Sequence, residues 1–176
     1  MALAEKWFKV RKDKAQLPNG KILDDYFVWE SGDVVMVVPL TPQGKFILVK
    51  QYRHGVGETM IEYPAGYVDG KEKTLEAAKR EMAEETGYQL ENLELLAKTI
   101  HQPTKENGVV SIYLARTSDK KVEQVNPDES EDIEILERKP EEILEMIRRG
   151  EIWADGTISA TFFAFDKLGL LQFTKK

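Results

Sequence analysis

No cysteine occurs among the 176 residues, which excludes a disulfide framework and a thiolate metal site alike. No run approaches the roughly 20 apolar residues needed to cross a bilayer, and no apolar stretch follows a basic N-terminal region. A soluble, cytoplasmic protein without membrane contact is therefore expected. Positive charge is in the minority: 25 Lys and Arg stand against 31 Asp and Glu, for a net charge of −6. That balance disfavours a broad electrostatic grip on long nucleic acid, while a small anionic ligand held by a metal remains compatible with it. Linkers, internal repeats and low-complexity segments are also lacking, and the length suits one catalytic domain.

The most informative stretch runs from Gly66 to Tyr88, where a glycine-bearing turn leads into a short helix crowded with glutamates. Leu75, Ala78 and Met82 recur at three and four residues and predict the buried face of that helix. Thr74 fits its N-cap and Gly87 its C-cap. Glu81, Glu84 and Glu85 fall within about 100° of arc beside the apolar stripe. Like charges at this spacing repel by a few tenths of a kcal/mol per pair. A divalent cation offsets that repulsion most simply, and hard carboxylate oxygens favour Mg²⁺ or Mn²⁺. A solvated helix face of mixed charge is the plainer alternative for any single pair.

Gly66, five residues, Glu72, seven residues and then Arg80-Glu81-Met82-Ala83-Glu84-Glu85-Thr86-Gly87-Tyr88 resembles the Nudix box of the Nudix hydrolase family. Every charged and glycine position matches; Tyr88 stands where the family more often has a bulky aliphatic. The resemblance implies an α/β protein with the Nudix fold, an α/β/α sandwich around a mixed sheet. It also implies Mg²⁺, with Mn²⁺ possible, held by Glu81, Glu84, Glu85 and the backbone carbonyl of Ala65, and an Arg80–Glu72 pair fixing loop to helix.

Ahead of the box, Trp7 to Lys14 and Lys21 to Glu30 read as a hairpin closed by Leu17-Pro18-Asn19-Gly20. Its aromatics Trp7, Phe8, Tyr26, Phe27 and Trp29 are too many for a lone ribbon to leave wet. They either pack within the chain or form a dimer contact that also walls a base or sugar pocket. Residues 1–31 are expected to be this extension and 32–176 the hydrolase domain, with a homodimer as the assembly. Asp33 to Leu40 and Lys45 to Tyr52 read as central strands. The following Gln51-Tyr52-Arg53 resembles a family segment whose arginine, here Arg53, holds diphosphate or sugar; a surface arginine is the other reading. Glu62 touches the sugar or is an edge-strand carboxylate. Pro64 fixes φ, and Gly66 allows a turn that a side chain would forbid.

Beyond the box, Leu93 to Ile100 and Val109 to Leu114 read as strands. Pro103, 15 residues past Tyr88, resembles a substrate-contacting proline of ADP-ribose pyrophosphatases, although Thr104 and Lys105 depart from their pattern. His54 and His101 read equally as strand-end residues or ligand groups. The acidic run ending Asp128-Glu129-Ser130-Glu131-Asp132 reads as a solvated loop by composition. By resemblance it is a second catalytic segment, in which Glu129 is the general base and Glu131 a metal ligand, with the register between them open. Helices are predicted over Lys139 to Gly150 and Asp155 to Leu168, the latter packing Ile158, Phe162, Phe163 and Phe165 on the sheet.

The function implied is Mg²⁺-dependent hydrolysis of the diphosphate linkage of ADP-ribose or a related nucleoside diphosphate sugar, with Glu129, Glu131 and Glu85 catalytic and Arg53, Glu62 and Pro103 binding substrate. Alternatives within the class prefer GDP-mannose, a dinucleoside polyphosphate or an RNA 5′ end. From another class comes a non-catalytic nucleotide-sugar sensor, a kind of module that commonly loses the box glutamates kept here.

Overall fold

Val35, Val37 and Val38 are fully buried, as are Phe46, Ile47, Leu48 and Val49, so the two apolar runs have both faces covered. They form β4 (Val34–Leu40) and β5 (Phe46–Arg53) in a computed structural model that describes residues 3–5, 8–121 and 132–171. The two strands pair only at Leu40 and Phe46 and then splay. The chain from Glu58 to Tyr67 fills the wedge: β6 (Glu58–Glu62) pairs with β5, then β7 (Ala65–Tyr67) with β4. Pro64 marks the switch, its carbonyl accepting the Val37 N–H at 2.9 Å. That wedge delivers Ala65 and Gly66 to the centre of the molecule.

The far edge of β4 pairs in parallel with β9 (Val110–Lys121), and β9 carries β8 (Tyr88–Thr99) antiparallel. On the other side β10 (Glu134–Arg138) runs antiparallel to β5, giving a mixed sheet of seven strands. Period-two alternation divides the core into two layers. Val35, Val37, Ile47 and Tyr113 face α1 (Thr74–Thr86) with its Ala77, Ala78 and Met82. Val38, Leu48 and Ile112 face α2 (Pro140–Arg148) and α3 (Asp155–Lys167). The expected α/β/α arrangement is thus what the chain adopts.

Residues Lys9–Gln16 (β2) and Ile22–Trp29 (β3) form the expected hairpin, with β1 (Leu3–Ala4) added at the edge of a separate sheet. Gly20 closes the turn at φ 84°, where glycine carries no side-chain penalty. The Trp29 N–H donates to the Lys105 carbonyl at 2.7 Å and the Tyr26 hydroxyl to that of Thr104 at 2.5 Å, tying hairpin to body. Phe8 lies 5.7 Å from Trp29, ring centre to ring centre, yet Phe8 and Phe27 both remain largely exposed. Packing within the chain therefore covers the hairpin aromatics only in part; Trp7 lies outside the described residues.

Three local expectations change. The N-cap of α1 is Lys73, whose N–H reaches the Glu76 carboxylate at 3.3 Å, while the Thr74 hydroxyl bonds that of Tyr113 at 2.6 Å. Leu75 is 40 % exposed because helical side chains lean toward the N-terminus, and a first-turn side chain leans past the helix start. On α3 the sheet-facing stripe is Thr157, Ala160, Thr161, Ala164 and Phe165. These mostly small residues let the helix approach closely, leaving Ile158 and Phe162 on the outer side.

Phe165 is fully buried, 5.2 Å from Phe46 between ring centres. Phe165→Ala is expected to cost about 3–5 kcal/mol through lost burial and the cavity left behind. Urea unfolding checks this, and a loss below about 1 kcal/mol would show that α3 does not anchor this layer.

Candidate active site

β7 lies against the middle of α1, and the contact that defines this junction is made by a missing side chain. A Cβ on Gly66 would lie 2.0 Å from Cδ of Glu81, so only bare backbone lets that carboxylate settle onto the strand. Gly66 is paired with Val35 in β7 and needs close approach, where the sequence suggested a turn. The helix ends at Gly87, whose φ of 72° and N–H to the Ala83 carbonyl at 3.0 Å make it the expected C-cap.

Arg80 organises the charges. Its Nε and Nη2 donate to the two Glu72 oxygens at 3.2 and 3.0 Å, and Nη2 also donates to the Tyr67 carbonyl at 2.9 Å. Nη1 donates to Glu81 at 2.7 Å and to Glu84 at 3.1 Å. The expected Arg80–Glu72 pair is present, and the same guanidinium offsets two of the three clustered glutamates. Glu85 is 4 % exposed on the sheet side of the helix.

Glu81, Glu84, Glu85, Arg80, Ala65 and Gly66 line one cavity of about 650 Å³. Arg53 and Glu62 line it too, joined at 2.7 Å. Pro103 does not: it is exposed in the turn that follows β8. Glu129 and Glu131 lie outside the described residues. His101 reaches the cavity, whereas His54 sits exposed beside Tyr52. Sequence reasoning missed Lys9 of the hairpin and the first turn of α3, Asp155-Gly156-Thr157, all on the same lining. The readable signal for that turn was a helix start carrying Asp and Gly rather than an apolar residue.

The donor set suits a hard divalent ion. Seven carboxylates line the cavity against three fixed cations, Lys9, Arg53 and Arg80, an excess of four acidic side chains. Carboxylate and carbonyl oxygens are the ligands such ions prefer. Among the described residues, no three acidic or histidine side chains already converge on one point. Glu81 and Glu84 lean toward Arg80 instead.

Two outcomes follow from this geometry. Gly66→Ala forces Glu81 or β7 to move and is expected to lower kcat/KM on the order of 100-fold, as misplacement by an ångström can, with a much smaller change in melting temperature. Unchanged kinetics would mean that the seat of Glu81 is immaterial. The second concerns Glu72, whose carboxyl Arg80 holds below its ordinary range through their hydrogen bond. A depressed folded-state value means the stabilisation is present above the unfolded carboxylate pKa, about 4.3, and is lost as pH falls through the folded one. Glu72→Gln should therefore melt earlier than wild type near neutral pH, with the gap closing as pH drops below about 4. A gap that persisted in acid would contradict the pairing.

Comparison with known proteins places this geometry in a family. Residues 30–159 match the NUDIX domain, and residues 1–29 match the nucleoside diphosphate sugar hydrolase N-terminal domain. A methanol dehydrogenase activator of Bacillus methanolicus is 31% identical over 152 residues, covering 86% of this chain and 82% of that protein. An ADP-ribose pyrophosphatase of Bacillus subtilis (strain 168) is 32% identical over 141 residues, covering 80% of this chain and 76% of that protein. The crystal structure of an ADP compounds hydrolase superposes with a TM-score of 0.79 at 22% identity, over 95% of this chain and 89% of that one, a likeness of fold. With the domain match spanning the seven-stranded sheet, α1 and every cavity-lining residue but Lys9, the chain belongs to the Nudix hydrolase family.

Proposed function

We propose that this Nudix hydrolase cleaves the diphosphate linkage of ADP-ribose or a related nucleoside diphosphate sugar, in the presence of Mg²⁺ or Mn²⁺, to a nucleoside monophosphate and a sugar phosphate. The observation that carries the reading is the carboxylate cluster seated on Gly66, in one cavity with the arginines Arg53 and Arg80. The ADP-ribose pyrophosphatase relative supports the substrate class.

In this reading Glu81, Glu84, Glu85, Glu131 and the Ala65 carbonyl hold the ion. When bound, a hard divalent ion neutralises diphosphate charge and acidifies water. The chain does the rest. Arg53, steadied by Glu62, offers a forked donor to phosphate oxygens. Glu62, on the cavity lining, also contacts the sugar, whereas Pro103, off that lining, is left without this role. Arg80 holds the box loop against the helix, so the carboxylates stay in place through turnover. Glu129 takes the proton from the attacking water.

Residues 1–31 serve as a substrate wall and as the contact of a homodimer, and 32–176 as the catalytic domain. The exposure of Phe8 and Phe27 supports a partner there. Among the described residues no helix is long and apolar enough to cross a membrane, which is compatible with a cytoplasmic enzyme.

A panel of ADP-ribose, ADP-glucose, GDP-mannose and a diadenosine polyphosphate tests the reading. ADP-ribose is expected to give AMP and ribose 5-phosphate, with turnover abolished by chelator and restored by Mg²⁺. Glu85→Gln is expected to lower kcat by roughly 100-fold or more while nucleotide still binds. Absence of metal-dependent turnover on every member would overturn the proposal and leave a sensing module.

A further inference from the structure

The wall of the cavity formed by α3 has no part in the chemistry above. Its first turn brings Asp155, Gly156 and Thr157 to the lining, together with His101 and Met36. A Cβ on Gly156 would sit 2.9 Å from His101 Cε1 and 3.1 Å from Met36 Cε, so glycine is what lets both side chains close on the helix. His101 Nδ1 lies 3.3 Å from the Asp155 carboxylate, which orients the ring.

Thr157 is the informative residue. Inside a helix a threonine returns its hydroxyl to the carbonyl four residues back, an acceptor that Thr157, third residue of α3, does not find within its helix. Thr161 does so to Thr157 at 2.8 Å, and Thr86 to Met82 at 2.6 Å. Thr157 is fully buried and its Oγ1 has no hydrogen-bond partner among the described residues. A buried polar group of that kind wants an explanation, and a ligand in the cavity supplies one.

We infer that this wall is the subsite for the hydroxylated sugar half of the substrate. The inference rests on the nucleoside diphosphate sugar reading and adds which face of the cavity takes the sugar. The Asp155 carboxylate is an acceptor that would repel a phosphate. A sugar hydroxyl can donate to it, beside the Gly156 N–H that already donates to Asp155 at 2.7 Å, while accepting from the Thr157 hydroxyl. Met36 adds an apolar surface for the C–H face of the ring.

Calorimetric titration of ribose 5-phosphate and of AMP into wild type, Thr157→Val and Thr157→Ser tests it. Thr157→Val keeps the shape and removes the hydroxyl, so ribose 5-phosphate is expected to bind about three- to tenfold more weakly while AMP is unchanged. Thr157→Ser should restore wild-type binding. Should Thr157→Val fail to fold, Asp155→Asn, altered at a side chain that is 77 % exposed, carries the same comparison with the same expectation. Unchanged affinity for ribose 5-phosphate, or an equal loss for AMP, would overturn the inference. If the wild type cleaved no nucleotide sugar and ribose 5-phosphate binding still depended on Thr157, the substrate reading would fall and the subsite would stand.

Discussion

The guanidinium of Arg80 is the interaction on which the site depends. It joins three pieces of the site: the Tyr67 carbonyl at the end of β7, Glu72 in the loop, and Glu81 and Glu84 on the helix. Carboxylates at helical spacing of three and four repel one another. Placing a planar, permanently charged fork between them turns that repulsion into a fixed arrangement. Its own proton is held more tightly than in solution, first by Glu72 and then by Glu81 and Glu84, so the cation is present at any pH the fold survives.

The sheet explains why this cluster sits where it does. β4 and β5 share a single pair of residues before they diverge, and a parallel partner on one and antiparallel partners on the other keep both fully bonded. A diverging pair needs something between its strands. The chain that fills the gap must change partner midway, and Tyr63-Pro64 does this where proline has no N–H to offer either strand. What emerges is Ala65-Gly66, both on the cavity lining, with the bare Cα of Gly66 against Glu81 of the helix. Backbone divergence, rather than any single side chain, brings carbonyl oxygen and carboxylates into one cavity.

Much of this was legible beforehand, because the signals were local. Runs rich in β-branched residues marked the central strands, Asn19-Gly20 the hairpin turn, and the spacing from Gly66 to Gly87 the box. What could not be read depends on partners distant in sequence. Leu75 looked buried because periodicity carries no information about where a helix end projects. Tyr88 departed from the usual aliphatic, and its tolerance becomes clear only in the fold: the ring is buried while its hydroxyl donates to Glu137 at 2.8 Å across the sheet. Burial and that carboxylate push its pKa up to about 12. The first turn of α3 went unnoticed for the same reason, since Gly156 matters only through His101 and Met36, which lie 55 and 120 residues earlier in the chain.

Charge decides what the cavity can accept. With seven carboxylates against three cations on its lining, an anionic diphosphate entering alone would meet a field of its own sign. Two like charges 4 Å apart cost about 4 kcal/mol at the effective dielectric of a protein surface, so even one uncompensated contact would weaken binding by about a thousandfold. Arg53 and Arg80 do not remove the deficit, because each is already engaged by carboxylates at 2.7 Å. Additional positive charge must therefore arrive with the substrate or before it. On the proposed function, an acidic cavity of this kind would favour anions escorted by hard cations and tie substrate affinity to metal concentration before any bond is broken.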